Sequence, residues 1–227
     1  MRDELLISID DTDVKGGEGT GRLARRVAAE LDLELLGITR HQLLLHPLIN
    51  YTKRNSCNVI IAKSDTAPGD IFETVREIIF HGSQRGSDPG LAVAWEVPES
   101  IREFGRLAQR SLLKKEECMR LAAQAGVALE EIKGNGQGII GALAGIGLCS
   151  TGSDGRYIML EGLRELKGTV SIADLEGMGI RTINLEDGKK LEEGLVAMAE
   201  RIRPNRIDRR PILFVIKGEG AYYPTVL

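Results

Sequence analysis

The sequence predicts an α/β (α+β) protein built from two small units packed together. Three observations favour this class: short runs of Ile, Leu and Val alternate with amphipathic stretches, glycine clusters separate them, and aromatic residues make up only 4% of the chain. A length of 227 residues corresponds to one large domain or two small ones. Hydrophobic residues reach 42%, which is enough for a core of Leu, Ile, Val and Ala.

The part of the chain before Pro98 carries the more regular pattern. Apolar runs predict strands, and apolar residues at helical spacing, such as Leu23, Val27 and Leu31, predict amphipathic helices. The elements alternate as strand, helix, strand, strand, helix and strand, at 4–9, 20–32, 34–45, 57–62, 70–81 and 91–97. This β-α-β-β-α-β order is that of the ferredoxin-like split unit.

Pro98 opens a less regular second part, which is also rich in charged residues. Helices are predicted at 99–124 and 189–202, and strands at 157–160, 181–185 and 211–218. The second of these helices rests on four apolar residues at helical spacing, namely Leu191, Leu195, Met198 and Ile202. We expect a second ferredoxin-like-type unit, domains at 1–98 and 99–227, and an interface between them because no long linker separates them.

Charge and cysteine content argue against several classes of protein. The net charge of −3 does not suggest a surface that coats nucleic acid, so any basic site must be local. The three cysteines are far apart and form no C-x-x-C pair, which argues against zinc and against a disulfide framework. The apolar runs are shorter than the roughly 20 residues of a membrane helix, and the N-terminus lacks a signal-peptide pattern. We expect a reduced, cytoplasmic protein.

Three aspartates end the first predicted strand: Asp10, Asp11 and Asp13. In an extended chain Asp11 and Asp13 would project together, with Asp10 opposite unless the chain turns. Carboxylates this close repel one another, and each raises the pKa of its neighbours unless a cation compensates. Mg²⁺ with bound phosphates provides such compensation. The alternative is an Asx-rich turn, but three acids beside a glycine-rich loop favour a magnesium–nucleotide site.

That glycine-rich loop, KGGEGTG at residues 15–21, follows the aspartates and is called the first glycine loop. Gly16, Gly17 and Gly19 tolerate positive φ and allow backbone N–H groups to approach an anion. The loop ends where a helix begins, and helix N-termini attract phosphate. Thr20 is then a helix N-cap, a hydroxyl beside a metal-bound phosphate, or both. The G-K-[ST] ending of a Walker P-loop is absent.

A second glycine-rich segment, KGNGQGIIGALAGIG, spans residues 133–147. Its first part, residues 133–138, is called the second glycine loop, and we expect it to contact nucleotide phosphates. The alternative is close helix packing through small residues. The spacing also fits a dinucleotide fingerprint with Glu161 as its acid, but ALEEIK before it is a poor strand and repeated βα units are missing. The residues expected to contact the nucleotide are Gly134, Asn135, Gly136 and Gly138.

Basic residues that would offset phosphate charge stand at two places. Lys53 and Arg54 lie just before a predicted strand, and Lys217 leaves the final strand next to glycines. Lysine and arginine both bind phosphate, and arginine does so in a bidentate manner. The five arginines of 201–210 are interpreted as a solvated face.

Several of these segments occur together, in the same order, in one protein family. They are IDDTD, the ten positions from Asp10 to Thr20 through the glycine loop, HPLINYTKR, DPGLAV, GNGQGIIGALAGIG and PILFVIKGE. Over nearly its whole length the chain resembles the N-terminal part of archaeal isoleucine-tRNA agmatinylcytidine synthetase, the TiaS family. That enzyme uses ATP to activate the wobble cytidine of a tRNA for attack by agmatine. The resemblance implies a kinase-type domain at 1–98, binding ATP and Mg²⁺, and a ferredoxin-like domain at 99–227.

The resemblance also implies roles for single residues in the first part. Asp10, Asp11 and Asp13 match the family's acidic motif for Mg²⁺ and ATP. Thr20 matches the threonine that carries phosphate in the kinase domain. Arg54 matches an arginine of the family segment KTRGN. Asp10, Asp11, Thr20 and Arg54 would then be catalytic.

The glycine motif of the family corresponds to the second glycine loop, and Lys217 falls where the family has RGE. The chain departs from the family at three points. Thr20 is followed by Gly21 where the family has Thr-Thr, and KTRGNA is replaced by TKRNSC. We also expect the OB-fold and zinc-ribbon domains, which hold tRNA in the family, to be absent.

Three hypotheses follow for the function. The first is an ATP- and Mg²⁺-dependent phosphoryl transfer whose acceptor is an RNA or a small molecule. The second is a nucleotide-binding module without chemistry, acting as a sensor or as a subunit of a larger complex. The third is tRNA modification with the RNA-binding parts on a separate chain. A homo-oligomer or a partner subunit fits each of these, and a membrane partner fits none.

Overall fold

The computed structural model describes residues 4–31, 33–52, 54–66, 68–198 and 202–225. The chain divides into two compact units, unit 1 at residues 1–151 and unit 2 at residues 152–227. Both units mix helices and strands, as the predicted α/β class requires. Pro98, the expected boundary, lies inside unit 1, because helices that follow it pack with elements that precede it. None of the helices in the described ranges is long and apolar enough to cross a membrane.

Unit 1 contains the predicted β-α-β-β-α-β series followed by three more helices and a strand. Its strands are β1 (Leu5–Asp10), β2 (Glu34–Gln42), β3 (Ser56–Lys63), β4 (Gly90–Ala94) and β5 (Ala128–Glu131). Its helices are α1 (Thr20–Glu30), α2 (Pro68–Gly82), α3 (Glu99–Ala108), α4 (Lys115–Ala125) and α5 (Gly138–Ser150). The helix predicted at 99–124 is therefore two helices. The segment judged a poor strand contains β5, because its backbone pairs with β4.

The five strands of unit 1 form an antiparallel sheet in the order β5-β4-β1-β3-β2. The order β4-β1-β3-β2 is the one that a ferredoxin-like unit requires. β1 is buried on both faces, since Leu5, Leu6, Ile7 and Ile9 are all 2% exposed or less. Helices α1 and α2 pack against each other and against the sheet, α5 packs against β1, β3 and β4, and α3 packs against α5.

This pairing brings four connections to one edge of the sheet. Asp10, the last residue of β1, lies opposite Gly90, the first residue of β4, and Gly90 lies opposite the last residue of β5. On the other side of β1, Ile9 pairs with Asn58 near the start of β3. The connections that meet at this edge are 11–19, 43–55 over its described residues, 83–89 and 132–137.

Glycines allow the backbone of α5 to approach the sheet closely. A Cβ at Gly145 would overlap Ser8 Oγ and lie 2.9 Å from Cys57 Sγ. A Cβ at Gly138 would lie 2.6 Å from the Gly90 nitrogen and overlap the Asp88 carbonyl oxygen. The alternative interpretation of the small residues in 139–147 is close helix packing. The contact between α5 and the sheet is packing of this kind.

Unit 2 has a different arrangement of elements. Its described residues form β6 (Arg156–Met159), β7 (Thr169–Ser171), α6 (Ile172–Gly177), β8 (Arg181–Asn184), β9 (Leu195–Ala197), β10 (Asn205–Ile207), β11 (Arg210–Lys217) and β12 (Tyr222–Pro224). The strand order is β6-β10-β11-β12-β9-β7, with β8 paired in parallel to β11. One described helix among seven strands departs from the β-α-β-β-α-β order of unit 1.

The helix predicted at 189–202 is wrong over the described residues of that segment. Leu195–Ala197 forms β9, antiparallel to β7 and parallel to β12. Leu195 is 48% exposed whereas Val196 is fully buried in the unit 2 core, which is the alternation of a strand. Gly194, with φ 121°, precedes the strand in a conformation that a helix does not use. Sheet pairing therefore overrides the helical spacing of the leucines.

We predict that Gly145→Ala destabilises unit 1 by about 1–3 kcal/mol, because the added methyl group overpacks the contact between α5 and the sheet. Gly69→Ala is the matched control, since a Cβ at Gly69 meets nothing within 4 Å. Urea unfolding followed by the fluorescence of Trp95, the single tryptophan, measures both changes. Equal stability of the two variants would contradict the close packing.

Candidate functional site

The three aspartates lie at a turn and do not continue the strand. β1 ends at Asp10, and Asp11 has φ 51°, in the left-handed region that aspartate tolerates better than most residues. The chain therefore leaves the extended conformation at this point, and the alternation expected for a strand does not apply. All three carboxylates interact electrostatically, with Asp11 and Asp13 both acting on Asp10.

Burial and like charge both raise the pKa values of this cluster. Burial raises the pKa of Asp10 to about 7, and the charges of Asp11 and Asp13 add to the shift. The carboxylate fits against α5 because Gly141 has no side chain, and a Cβ there would overlap Asp10 Oδ2. Burial is also the main cause that raises the pKa of Asp11 to about 6, and the charges of Asp88 and Asp13 raise it further. Carboxylates in this state favour a nearby cation.

Thr20 links the first helix to this cluster. It is the first residue of α1 and is 8% exposed, and its hydroxyl donates to Asp13 Oδ1 at 3.4 Å. Thr20 Oγ1 in turn accepts the Thr12 N–H at 3.4 Å. The N-cap of α1 is Gly19, without a side-chain cap, so the predicted N-cap role of Thr20 is wrong. The hydroxyl instead faces an aspartate, the arrangement of an alcohol beside a general base.

The first glycine loop is fixed at its start by Gln84. The side-chain oxygen of Gln84 accepts the Val14 N–H at 3.1 Å, and its backbone N–H donates to the Thr12 carbonyl at 3.0 Å. Gln84 packs against Gly17, where a Cβ would overlap its side chain. Gly16 and Gly19 have φ values of 89° and 84°, so the predicted need for glycine holds at these two positions.

The second glycine loop is held by Asp88. The Asn135 N–H donates to Asp88 Oδ1 at 2.6 Å, and the Gly138 N–H donates to the Asp88 carbonyl at 3.0 Å. Asn135 in turn accepts the Gln137 N–H at 3.0 Å. Three amides of the loop are thus used inside the protein.

Two other glycines of the second glycine loop differ in exposure, since Gly134 is exposed whereas Gly136 is buried against the Glu131 side chain. Gly134 and Gly136 have φ values of 78° and 75°, and within the described residues their N–H groups donate to no protein acceptor. The far side of the loop is tied to Lys115, which donates to the Asn135 carbonyl and pairs with Glu131, both at 2.9 Å.

The predicted basic residues belong to different parts of the chain. Arg54 is exposed in the connection 43–55, at the same sheet edge as the aspartates. Lys53 lies outside the described residues. Lys217 is the exposed last residue of β11, in unit 2. The solvated-face interpretation of 201–210 is wrong for Arg206, which is 2% exposed and donates to Tyr157 Oη at 2.7 Å.

A magnesium site made by the protein alone is not assembled here. Within the part of the chain that the structure describes, no three Asp, Glu, His or Cys side chains are arranged to hold a metal ion. Mg²⁺ commonly takes only one or two carboxylates and completes its octahedron with water and substrate phosphates. The assignment of Asp10, Asp11 and Asp13 as its ligands therefore stays a prediction.

Gln84 and Asp88 are site residues that sequence reasoning missed. Both contacts are distant along the chain, 70 residues for Gln84 to Val14 and 47 for Asp88 to Asn135. One signal was present for Asp88. It directly precedes PGLAV, and an acid at the start of the strand beside β1 reaches the same sheet edge as the acids at the end of β1.

Comparison with known proteins finds relatives for part of the chain. No family model matches it. Over 151 residues, 63% of its length, it is 31% identical to the isoleucine-tRNA 2-agmatinylcytidine synthetase TiaS of Pyrococcus horikoshii. The chain carries a TiaS-like region. The match covers 35% of the Pyrococcus protein, so the chain spans about a third of the length of that TiaS.

Solved TiaS structures resemble the same share of the chain. The complex of TiaS with its isoleucine tRNA and ATP superposes with a TM-score of 0.56 at 24% identity, covering 64% of this chain and 36% of that one. The complex of TiaS with the same tRNA, AMPCPP and agmatine has a TM-score of 0.53 at 25% identity and the same coverage. These likenesses establish the α/β fold of the TiaS-like region.

We predict that Asp10 makes the metal-free protein less stable as pH rises. Its folded-state pKa of about 7 exceeds the ordinary 3.8, so the folded state keeps a proton that the unfolded state has lost between these values. Stability therefore falls as pH rises from about 4 to 7. Asp10→Asn removes this contribution and should be more stable than the wild type at pH 8 by on the order of 1–3 kcal/mol, with the advantage shrinking toward pH 4.

The measurement is urea unfolding with Trp95 fluorescence at several pH values in buffer with a chelator. Asp70→Asn, at an exposed aspartate of α2, is the control and should show little pH-dependent difference from wild type. If Asp10→Asn and wild type differ in stability by the same amount at every pH, then burial does not raise the pKa of the Asp10 carboxyl.

Proposed function

We propose that this protein binds Mg²⁺-ATP in unit 1 and transfers the γ-phosphoryl group. The observation that carries the proposal is the Thr20 hydroxyl, which donates to Asp13 beside the crowded carboxylates of Asp10 and Asp11. The TiaS-like region supports it, because TiaS relatives have been crystallised with ATP and with AMPCPP. Catalysis of phosphoryl transfer depends chiefly on positioning and on charge neutralisation.

The carboxylates of the site fit magnesium. Their oxygens are the hard ligands that Mg²⁺ prefers. Burial, and then neighbouring carboxylates, raise the pKa values of Asp10 and Asp11, so a bound cation would favour their charged forms. Asp10 and Asp11 would hold the ion, while Asp13 is engaged by Thr20. When bound, the ion would neutralise phosphate charge and orient the phosphoryl group.

Backbone amides would hold the phosphates. Gly19 caps α1 without a side chain, and the Arg22 N–H donates to the Gly19 carbonyl, which leaves the amides of Thr20 and Gly21 for another acceptor. The amide of the exposed Gly134 is also available, at the same sheet edge. Arg54, exposed at that edge, would offset charge on the transferred group. The nucleotide-binding roles expected of Lys53 and Lys217 stay predictions.

In the proposed step Thr20 accepts the phosphoryl group. A bond forms between Thr20 Oγ1 and the γ-phosphorus, the bond from that phosphorus to the β,γ-bridging oxygen breaks, and ADP leaves. The hydroxyl proton passes to Asp13 Oδ1, which already accepts this hydrogen bond. An acceptor then takes the phosphoryl group from Thr20. An RNA is the first acceptor to test, because the TiaS relatives have been crystallised with tRNA, and a separate RNA-binding chain would complete such an enzyme.

A nucleotide-binding module without chemistry is the second candidate. The limited exposure of Thr20, 8%, favours it, because a covered hydroxyl is harder for a phosphoryl group to reach. Gly21, in place of the second threonine of the TiaS family, also favours a module without chemistry. This candidate requires nucleotide binding with no turnover and no phosphate on Thr20.

We predict that wild-type protein incubated with Mg²⁺ and γ-labelled ATP becomes labelled on Thr20. Thr20→Ser should keep the label, because the hydroxyl remains, and Thr20→Ala should lose it. Intact mass and phosphopeptide mapping measure the label and its position. Thr74→Ala, which removes an exposed hydroxyl that bonds only within α2, is the control and should be labelled like wild type. Nucleotide binding by calorimetry without any label would favour the module instead.

We predict that Asp11→Asn weakens the affinity for ATP in the presence of Mg²⁺ by about tenfold, roughly 1.4 kcal/mol. Affinity measured with a chelator should stay unchanged or improve, because the variant removes a negative charge from the phosphate site. Asparagine tolerates the left-handed φ of 51° at this position, so the backbone need not change. Calorimetric titration with and without Mg²⁺ measures both values. Unchanged binding and hydrolysis in Mg²⁺ would exclude Asp11 from the metal site.

A further inference from the structure

The connection 83–89 joins the two glycine loops, although the chain places them far apart. Gln84 accepts the N–H of Val14, just before the first loop, and packs against Gly17 within it, and Asp88 accepts the Asn135 N–H of the second loop. The connection is itself a tight turn, because the Ser87 N–H and Oγ–H both donate to the Gln84 carbonyl, at 3.2 and 2.7 Å. Its form is therefore fixed between the two loops it contacts.

We propose that Asp88 is a positioning residue for nucleotide binding, and that it acts by holding the second glycine loop open for phosphate. Asp88 makes two hydrogen bonds to this loop, one from the Asn135 N–H to its carboxylate and one from the Gly138 N–H to its carbonyl. These bonds fix the residues on both sides of Gly136. The amide of Gly134, an exposed residue, is left without an internal acceptor among the described residues.

The fit between Asp88 and the loop is also steric. A Cβ at Gly134 would overlap Asp88 Oδ1 and lie 2.9 Å from the Ser87 carbonyl oxygen. Gly134 has φ 78°, so glycine is required there both by conformation and by the approach of this carboxylate. The bond of 2.6 Å from an amide to a carboxylate is short, as expected for a charge-assisted hydrogen bond.

A different role for Asp88 predicts a different response to substitution. Its charge acts on Asp11, so it would also fit as a further carboxylate of the metal cluster. A metal ligand needs the negative charge, whereas a positioning residue needs only an oxygen that accepts the Asn135 N–H. Asparagine keeps that oxygen and removes the charge, and alanine removes both. Comparison of these two variants therefore separates the roles.

The claim that Asp88 affects nucleotide binding rests on the proposed function. The experiment therefore uses two readouts, one for the loop and one for nucleotide binding. Hydrogen exchange of the Asn135 amide by NMR reports the loop without any nucleotide. Calorimetry with Mg²⁺-ATP reports binding. We expect Asp88→Ala to speed Asn135 exchange and to weaken ATP affinity, each by about tenfold. Asp88→Asn should stay within about threefold of wild type in both, because a neutral acceptor keeps a weaker bond.

Glu103→Ala is the charge control, since it removes an exposed carboxylate from α3 and should leave both readouts unchanged. If Asp88→Ala does not fold, Gly134→Ala displaces the same carboxylate and should speed Asn135 exchange in the same way. Unchanged Asn135 exchange in Asp88→Ala would overturn the inference. Equal loss of ATP affinity in Asp88→Asn and Asp88→Ala would overturn it in favour of a metal role.

Failure of the proposed function gives a distinct result. Wild-type protein that binds no ATP overturns that function and the nucleotide part of the inference with it. The exchange of Asn135 then still decides whether Asp88 holds the loop. A wild type that binds ATP, together with an Asp88→Ala variant of equal affinity, leaves the proposed function standing and overturns the inference alone.

Discussion

The contact between the α5 backbone and the sheet determines most of what surrounds the candidate site. Gly138 lies against Gly90, and Gly141 leaves the space that the Asp10 carboxylate occupies. A side chain at either glycine would push the helix away from β1 and β4. The contact places Asp10 in surroundings that raise its pKa to about 7. It also sets the start of α5, and hence the second glycine loop, beside Asp88.

This arrangement stores unfavourable electrostatic free energy in the metal-free protein. Asp10 and Asp11 are both desolvated and both face other carboxylates, so their charged forms are disfavoured. A fold selected for stability alone would replace one of them with an apolar or amide side chain. Retaining such strain is common where a site must bind an ion or a substrate that relieves it. The same crowding that disfavours the charged carboxylates would give a cation its affinity.

The sequence predicted the parts of this arrangement that depend on local pattern. Alternating and helical spacing gave the β-α-β-β-α-β series, and the positive φ of Gly16 and Gly19 agrees with the expected glycine-rich loop. Contacts that join distant residues were missed, since nothing near Gln84 signals its bond to Val14. The wrong helix at 189–202 has the same cause, because β9 forms only through pairing with β7 and β12.

The described residues that would bind phosphate, apart from Lys217, belong to unit 1. The sheet topology explains how segments distant along the chain come together there. Because β3 and β4 are both antiparallel to β1, each of them begins at the edge at which β1 ends. The connection 83–89, which follows α2, and the connection 132–137, which precedes α5, therefore lie close to the loop after β1. Because the turn 84–88 contacts both glycine loops, a displacement of one loop changes the turn that holds the other. Anion binding at the two loops should therefore be coupled through Gln84 and Asp88, with each loop ordered more firmly when the other is engaged.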